Sequence, residues 1–291
     1  MKVQFPWPGG VRSVMAISVN FDAESYDLLS TTSERLYGRF SYGRYGVRAG
    51  LPRLLDMFER QQVSATFFVT GDDAQRHADL LKKITACGHE VACRGVTMKR
   101  PERSDELAWL KQARDMVEQA AGQSVVGFRS PDGELSPETL DHLLAAGFLY
   151  DASFQDDDAP YKFALTQGVL AEIPSCYALA DAPAYSARHT HQRVLQIWRD
   201  EAHALMEAEA LMPLTIHLRG DFGSTRAARI AILDTYLNEV KQASGVGFAR
   251  HDELARWTLA LDMPAEPDPY AIHAETLSRT VYRGDLAVKP I

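Results

Sequence analysis

The chain of 291 residues carries only three cysteines, Cys87, Cys93 and Cys176, and none forms a CxxC pair. So few, so scattered and odd in number, they exclude a disulfide framework and point to a reducing, cytoplasmic setting. No apolar run approaches the roughly 18 residues needed to cross a bilayer. The opening segment MKVQFPWPGGVRSVMAISVNF is interrupted by Pro6, Pro8, Gly9 and Gly10, so it does not read as a signal peptide. Positive charge is also scarce: 31 Lys and Arg against 39 Asp and Glu leave a net of −8. Such a chain is a poor fit to a phosphate backbone or an anionic membrane, which excludes nucleic acid and membrane as partners.

What remains is 46% hydrophobic and 24% charged, an ordinary globular balance that argues against long disorder, collagen-like repeats and coiled coil. Short apolar runs alternate with longer amphipathic ones, the order expected of parallel strands joined by helices. Strands are predicted at 14–21, 64–70, 89–94, 125–130, 149–154, 169–174, 213–219 and 246–250. Helices are predicted at 48–62, 104–121, 136–147, 191–211, 224–244 and 251–261. In the first, Leu51, Leu54, Leu55 and Phe58 recur at helical spacing. With no linker among them, these elements imply one α/β domain over 1–261, followed by a proline-rich extended tail at 262–291. Segment 24–47 reads as a long loop after the first strand, where barrel enzymes place substrate contacts.

Polar residues cluster at the predicted carboxyl ends of strands. Asp22 and Glu24 follow the first, Arg94 the third, Arg129 the fourth, and His217 and Arg219 the seventh. In an extended segment Asp22 and Glu24 would face the same side, about 7 Å apart. Acids, guanidiniums and an imidazole at one barrel mouth are the inventory for hydrolysing an acyl or amide bond: a base, an oxyanion partner and a proton donor.

The motif order resembles the polysaccharide deacetylase (NodB-homology) superfamily, a distorted (β/α) barrel of about seven parallel strands. The matching segments are FDAE at 21–24, GHEVACRGVTM at 88–98, GFRSPDGELSPETL at 127–140, GFLYDASFQDDDAPY at 147–161, LTIH at 214–217 and GVGFARHDELARW at 245–257. The long loop and the DDDAPY segment resemble a branch of cytoplasmic peptidoglycan-deacetylase-like proteins, cyclic imide hydrolases and metal-independent allantoinases. That resemblance implies action on small cyclic amides by a homo-oligomer, in the tetrameric manner of the branch.

The resemblance also assigns roles. Asp22 stands at the family's water-activating base, Arg129 at the arginine that orients it, and His217 at the proton donor. Asp157 and Tyr161 are implied substrate contacts, although an acidic triplet at 156–158 also fits a solvated loop. The family's metal is held at the positions of Glu24, Arg94 and Met98. Arginine cannot give up a proton to coordinate a cation, and a thioether does not suit zinc in an oxygen-and-nitrogen site. The expectation is therefore no metal cofactor, with Arg94 supplying fixed positive charge, forking onto Glu24 and contacting substrate. Met98 reads as core filling and Cys93 as a small buried strand residue. Two alternatives stay open: a non-catalytic barrel that binds a ligand, and a metallo-deacetylase with a divalent ion on Glu24, His217 and Cys93.

Overall fold

A computed structural model describes residues 5–29 and 37–268. The chain runs through β1 (Ser13–Phe21), α1 (Tyr37–Tyr45), α2 (Leu51–Gln61), β2 (Thr66–Val69), α3 (Gly71–Arg76), α4 (Ala78–Ala86) and β3 (Glu90–Cys93). Next come α5 (Glu106–Ala121), β4 (Gly127–Phe128), α6 (Thr139–Ala145), β5 (Tyr150–Asp151), β6 (Tyr161–Leu165) and β7 (Gly168–Glu172). It continues with α7 (Asp181–Ser186), α8 (His191–Ala208), β8 (Leu211–His217), α9 (Ala227–Gln242), β9 (Val246–Phe248), α10 (His251–Ala260) and β10 (Glu266–Pro267).

β1 is buried along its whole length, the mark of a central strand in a parallel sheet covered on both faces. Its register fixes the rest. Along one edge Val14–Asn20 pair with Leu211–His217 of β8. Along the other, Ser13–Met15 meet β9 and Ser18–Phe21 meet β2. The sheet runs β10-β6-β7-β5-β4-β3-β2-β1-β8, with β9 beside β1. Every pairing is parallel except the β6–β7 hairpin. This is the α/β architecture expected. Parallel order gathers the carboxyl ends of β1, β3, β4 and β8 at one rim, where open and barrel-type α/β sheets place their chemistry.

All eight predicted strands occur, shortened at 127–128 and 150–151. β6 lies in a stretch read as loop, and its Tyr161, Lys162 and Phe163 are buried against the sheet. Helices α3 and α4 were also missed. Thr70 caps α3 by accepting a hydrogen bond from the Asp73 amide at 3.3 Å, and two acids fill the first turn, a start signal too brief to carry a periodic pattern. α2 buries Leu51, Leu54, Leu55 and Phe58 as their spacing requires. Segment 24–47 is not one loop: Glu24–Leu29 is a 3-10 turn and Tyr37–Tyr45 is helix, while 30–36 lie outside the described residues. Of the expected tail, Glu266–Pro267 pairs with β6, and 269–291 lie outside the described residues. Among the described residues no helix is long and apolar enough to cross a membrane.

Candidate active site

Asp22, one residue past β1, is 1% exposed. Its Oδ1 accepts a hydrogen bond from Arg94 Nη1, and its Oδ2 stands 3.9 Å from His217 Nε2 with no donor of its own. Arg94 is fixed from behind, with Nη2 donating to the Pro131 carbonyl at 3.0 Å. Gly95 makes that placement possible. It turns the chain at φ +82°, and the Trp109 ring fills the space a Cβ would need, 2.1 Å away.

The expected fork of Arg94 onto Glu24 is therefore corrected: Arg94 takes Asp22, and Glu24 lies at 2.8 Å from His77 Nε2. Asp73 is the cause. This buried carboxylate accepts the amides of Ala23 and Ser25 at 3.2 Å each, together with the Ser25 hydroxyl. It curls the chain into the 3-10 turn immediately after Asp22, so the alternation that would aim both acids one way is lost. Burial pushes Asp73 up to about 6. The hydrogen bond from His77 holds Glu24 below its ordinary range.

Arg129 also departs from expectation, because it does not touch Asp22. Its Nε donates to the Ala152 carbonyl at 2.9 Å, and its Nη1 to Ser18 Oγ at 2.8 Å and Asn20 Oδ1 at 3.3 Å. Its guanidinium lies 4.1 Å over the Phe68 ring. Arg94 has taken over the grip on the aspartate.

His217 ends β8, beside a residue that sequence reasoning did not single out. Asp181, the first residue of α7, is fully buried. Its Oδ1 lies 2.7 Å from His217 Nδ1, and its oxygens also accept the amides of His217 and Ser224. On the other ring nitrogen, Asn20 Nδ2 stands 3.0 Å from His217 Nε2. Arginine only donates, so Asn20 must turn its oxygen to Arg129 and its NH₂ to the imidazole. His217 Nε2 is then an acceptor and Nδ1 carries the proton toward Asp181. Only the motif LADAP marks Asp181 in sequence, where it reads as the start of a helix and no more.

Asn20, Arg94 and Arg129 line an inner pocket of about 240 Å³. It shares Gln155, Ser175, Cys176 and Tyr177 with an outer chamber of about 560 Å³, whose wall includes Asp156, Asp157 and Asp158. Asp157 is thus at the outer chamber, with Oδ1 on the Ala159 amide at 3.0 Å. Tyr161 is not brought to either cavity wall. It is buried in β6 and its hydroxyl donates to Asp156 at 2.9 Å.

These strand-end placements can now be set against other proteins. A family model for polysaccharide deacetylase matches residues 31–150. A Mycobacterium smegmatis chain assigned to the polysaccharide deacetylases superposes with a TM-score of 0.81 at 31% identity, covering 89% of this chain and 94% of that one. The chain belongs to the polysaccharide deacetylase family. An allantoinase shares the fold with a TM-score of 0.80 at 22% identity, over 89% of this chain and 94% of its own. The peptidoglycan deacetylase of Helicobacter pylori is 30% identical over 153 residues, 51% of this chain and 52% of that protein. The chain thus spans about half the length of the curated relatives it matches.

At the positions where the sequence resemblance places the family's metal ligands, the donor set of this chain does not fit the metal. The guanidinium of Arg94 offers no lone pair and is bonded to Asp22. Met98 is buried, and Glu24 has turned to His77. Cys93 offers no substitute, since burial pushes its thiol up to about 12. Among the described residues one other set, Glu24, Asp73 and His77, brings ligand atoms within 4.8 Å of one another. Its nearest atoms are already engaged with each other and with the 23–25 backbone.

Behind Arg129 the neighbouring strands β5 and β7 place Asp151 opposite Glu172. Both are fully buried and hydrogen-bonded to each other. Asp151 already accepts the Ser153 amide and hydroxyl at 3.0 and 2.8 Å. Their mutual hydrogen bond pushes Glu172 up and Asp151 down, which places the shared proton on Glu172. Burial holds Glu172 well above its ordinary value of 4.5. An acid raised in this way binds more proton folded than unfolded, so its contribution to stability is complete at low pH and declines as pH climbs past 4.5. Glu172→Gln keeps a donor toward Asp151 without a titrating proton. Urea unfolding between about pH 5 and pH 9 should show a smaller loss of stability with rising pH in the variant than in the native protein; parallel curves would refute the shared proton.

Proposed function

We propose that this chain hydrolyses the carbon–nitrogen bond of a small cyclic amide, imide or ureide without a metal ion. The observation carrying the reading is that the Asp181–His217 pair and Asp22 remain assembled while a guanidinium occupies the family's metal-ligand position. The small inner pocket supports a compact substrate, and the fold shared with an allantoinase agrees with it.

The hydrogen-bond network refines the roles. His217 with Nδ1–H held by Asp181 has no Nε2 proton to give, so it first acts as acceptor. Once the Asn20 NH₂ releases Nε2, water held by Asp22 Oδ2 passes one proton to Nε2 as its oxygen attacks the ring carbonyl. The C–N bond breaks, the same proton goes from Nε2 to the leaving nitrogen, and the acid formed loses its remaining proton to give a carboxylate. Asp181 stabilises the transient imidazolium. Arg94 pairs with Asp22 and supplies positive charge beside the developing oxyanion. Ring strain and imide electrophilicity lower the demand on Lewis acidity.

The test is a screen of hydantoins, ureides, imides and N-acetylated sugars with the full chain, before and after exhaustive EDTA treatment. Ring opening at an unchanged rate after EDTA is the expected result. Turnover restricted to N-acetylated sugars, or abolished by the chelator and restored by zinc, would overturn the reading. The Arg94–Asp22 ion pair favours one second reading, a barrel that binds its ligand without turnover. Binding of a ring compound with no product formed would select it.

A further inference from the structure

We propose that the inner pocket binds the carboxylate of a small acid and that Arg129 is the residue that holds it. Its identity as a ring-opened product rests on the proposed reaction; the binding of an anion does not.

Two guanidiniums line the pocket, but only one is neutralised. Arg94 has its charge met by Asp22. Arg129 is 6% exposed, and all three of its hydrogen bonds end on neutral oxygens, those of Ala152, Ser18 and Asn20. Its Nη2 has no partner, and neither has Nε of Arg94. Among the described residues no carboxylate makes an ion pair with Arg129.

The acidic groups nearby are already committed. Asp132 on the pocket wall pairs with Arg100 at 3.0 Å. Asp151 and Glu172 share a proton and attract Arg129 only from a distance. The Phe68 ring covers one face of the guanidinium and offsets part of its charge. Burial first, and then the like charge of Arg94, press Arg129 down to about 10, a direction that an anion in the pocket reverses. A buried charge with unused N–H groups is unfavourable until paired. A carboxylate satisfies both needs, because it brings a negative charge and an acceptor for the unpartnered Nη2.

Ring opening of a cyclic amide creates a compact carboxylate beside this pocket, whose wall includes Asn20 and Arg94 next to Asp22 and His217. The inference therefore makes the reaction subject to inhibition by its own product. Binding to the full chain can be followed by isothermal titration with three probes: succinamate, its neutral analogue succinamide, and the ring compound succinimide. Succinamate is expected to bind at least about tenfold tighter than succinamide, a step of about 1.4 kcal/mol. Arg129→Gln should remove that difference. Equal affinity for acid and amide in the native protein, which needs no variant to fold, would overturn the proposal, and so would a folded Arg129→Gln that keeps the preference. Ring opening of succinimide with no preference for the acid would sink this inference and leave the reaction standing. Acid preference with no ring opened by the protein does the reverse.

Discussion

Arg94→Ala is expected to lower stability by about 3–5 kcal/mol, the range for breaking a buried ion pair from one side. The magnitude follows from where Asp22 sits. It is almost wholly buried, Arg94 is the donor to its Oδ1, and its Oδ2 has none. Without the guanidinium the buried carboxylate has no opposite charge to pair with, which raises the free energy of the fold. The Pro131 carbonyl also loses its donor. Urea unfolding of Arg94→Ala, Asp22→Asn and the double variant Arg94→Met with Asp22→Asn separates these effects. The double variant buries no unpaired charge, so it should be clearly more stable than Arg94→Ala. If Arg94→Ala unfolds at the native denaturant midpoint, Arg94 does not carry the charge that keeps Asp22 in place.

The same pair shows how far sequence reasoning reaches. Alternating and all-apolar runs located the strands, and the polar residues just past them followed, so Asp22, Arg94, Arg129 and His217 were correctly gathered at one rim. Their partners were not. Whether an arginine reaches the first or the second of two neighbouring acids depends on a turn of one residue. That turn is made by Asp73, about fifty positions downstream and on a helix too short to be read from periodicity. Asp181 was missed for a related reason. An aspartate before Ala-Pro at a helix start has a sufficient local explanation, and only the parallel register that brings α7 alongside β8 gives it a second one. Tyr161 differs in the opposite sense, since a motif placed it at the substrate while the structure buries it in β6 with its hydroxyl on Asp156. Sequence supplies positions along elements well; it supplies the choice among hydrogen-bond partners only when both lie on one element.

Asn20→Asp is expected to reduce turnover of a ring substrate by about 10²–10⁴-fold, the usual contribution of general acid–base catalysis. The side chain lies between Arg129 and His217, and in the native protein it distinguishes them: its oxygen faces the cation and its NH₂ faces the ring. A carboxylate there accepts from both sides. The imidazole, already facing Asp181, would then be held as imidazolium between two anions and could not take a proton from water. The shape of the site changes little, so the loss should appear in kcat more than in KM. Ring ¹⁵N shifts of His217 at neutral pH give an independent reading. They should report the Nδ1-protonated neutral tautomer in the native protein and the doubly protonated ring in the variant. Asn20→Ala removes the donor without adding charge, so Nε2 should be free and the ring still neutral. Native-like turnover by a variant whose ring is doubly protonated would show that His217 is not the group that accepts the proton from water.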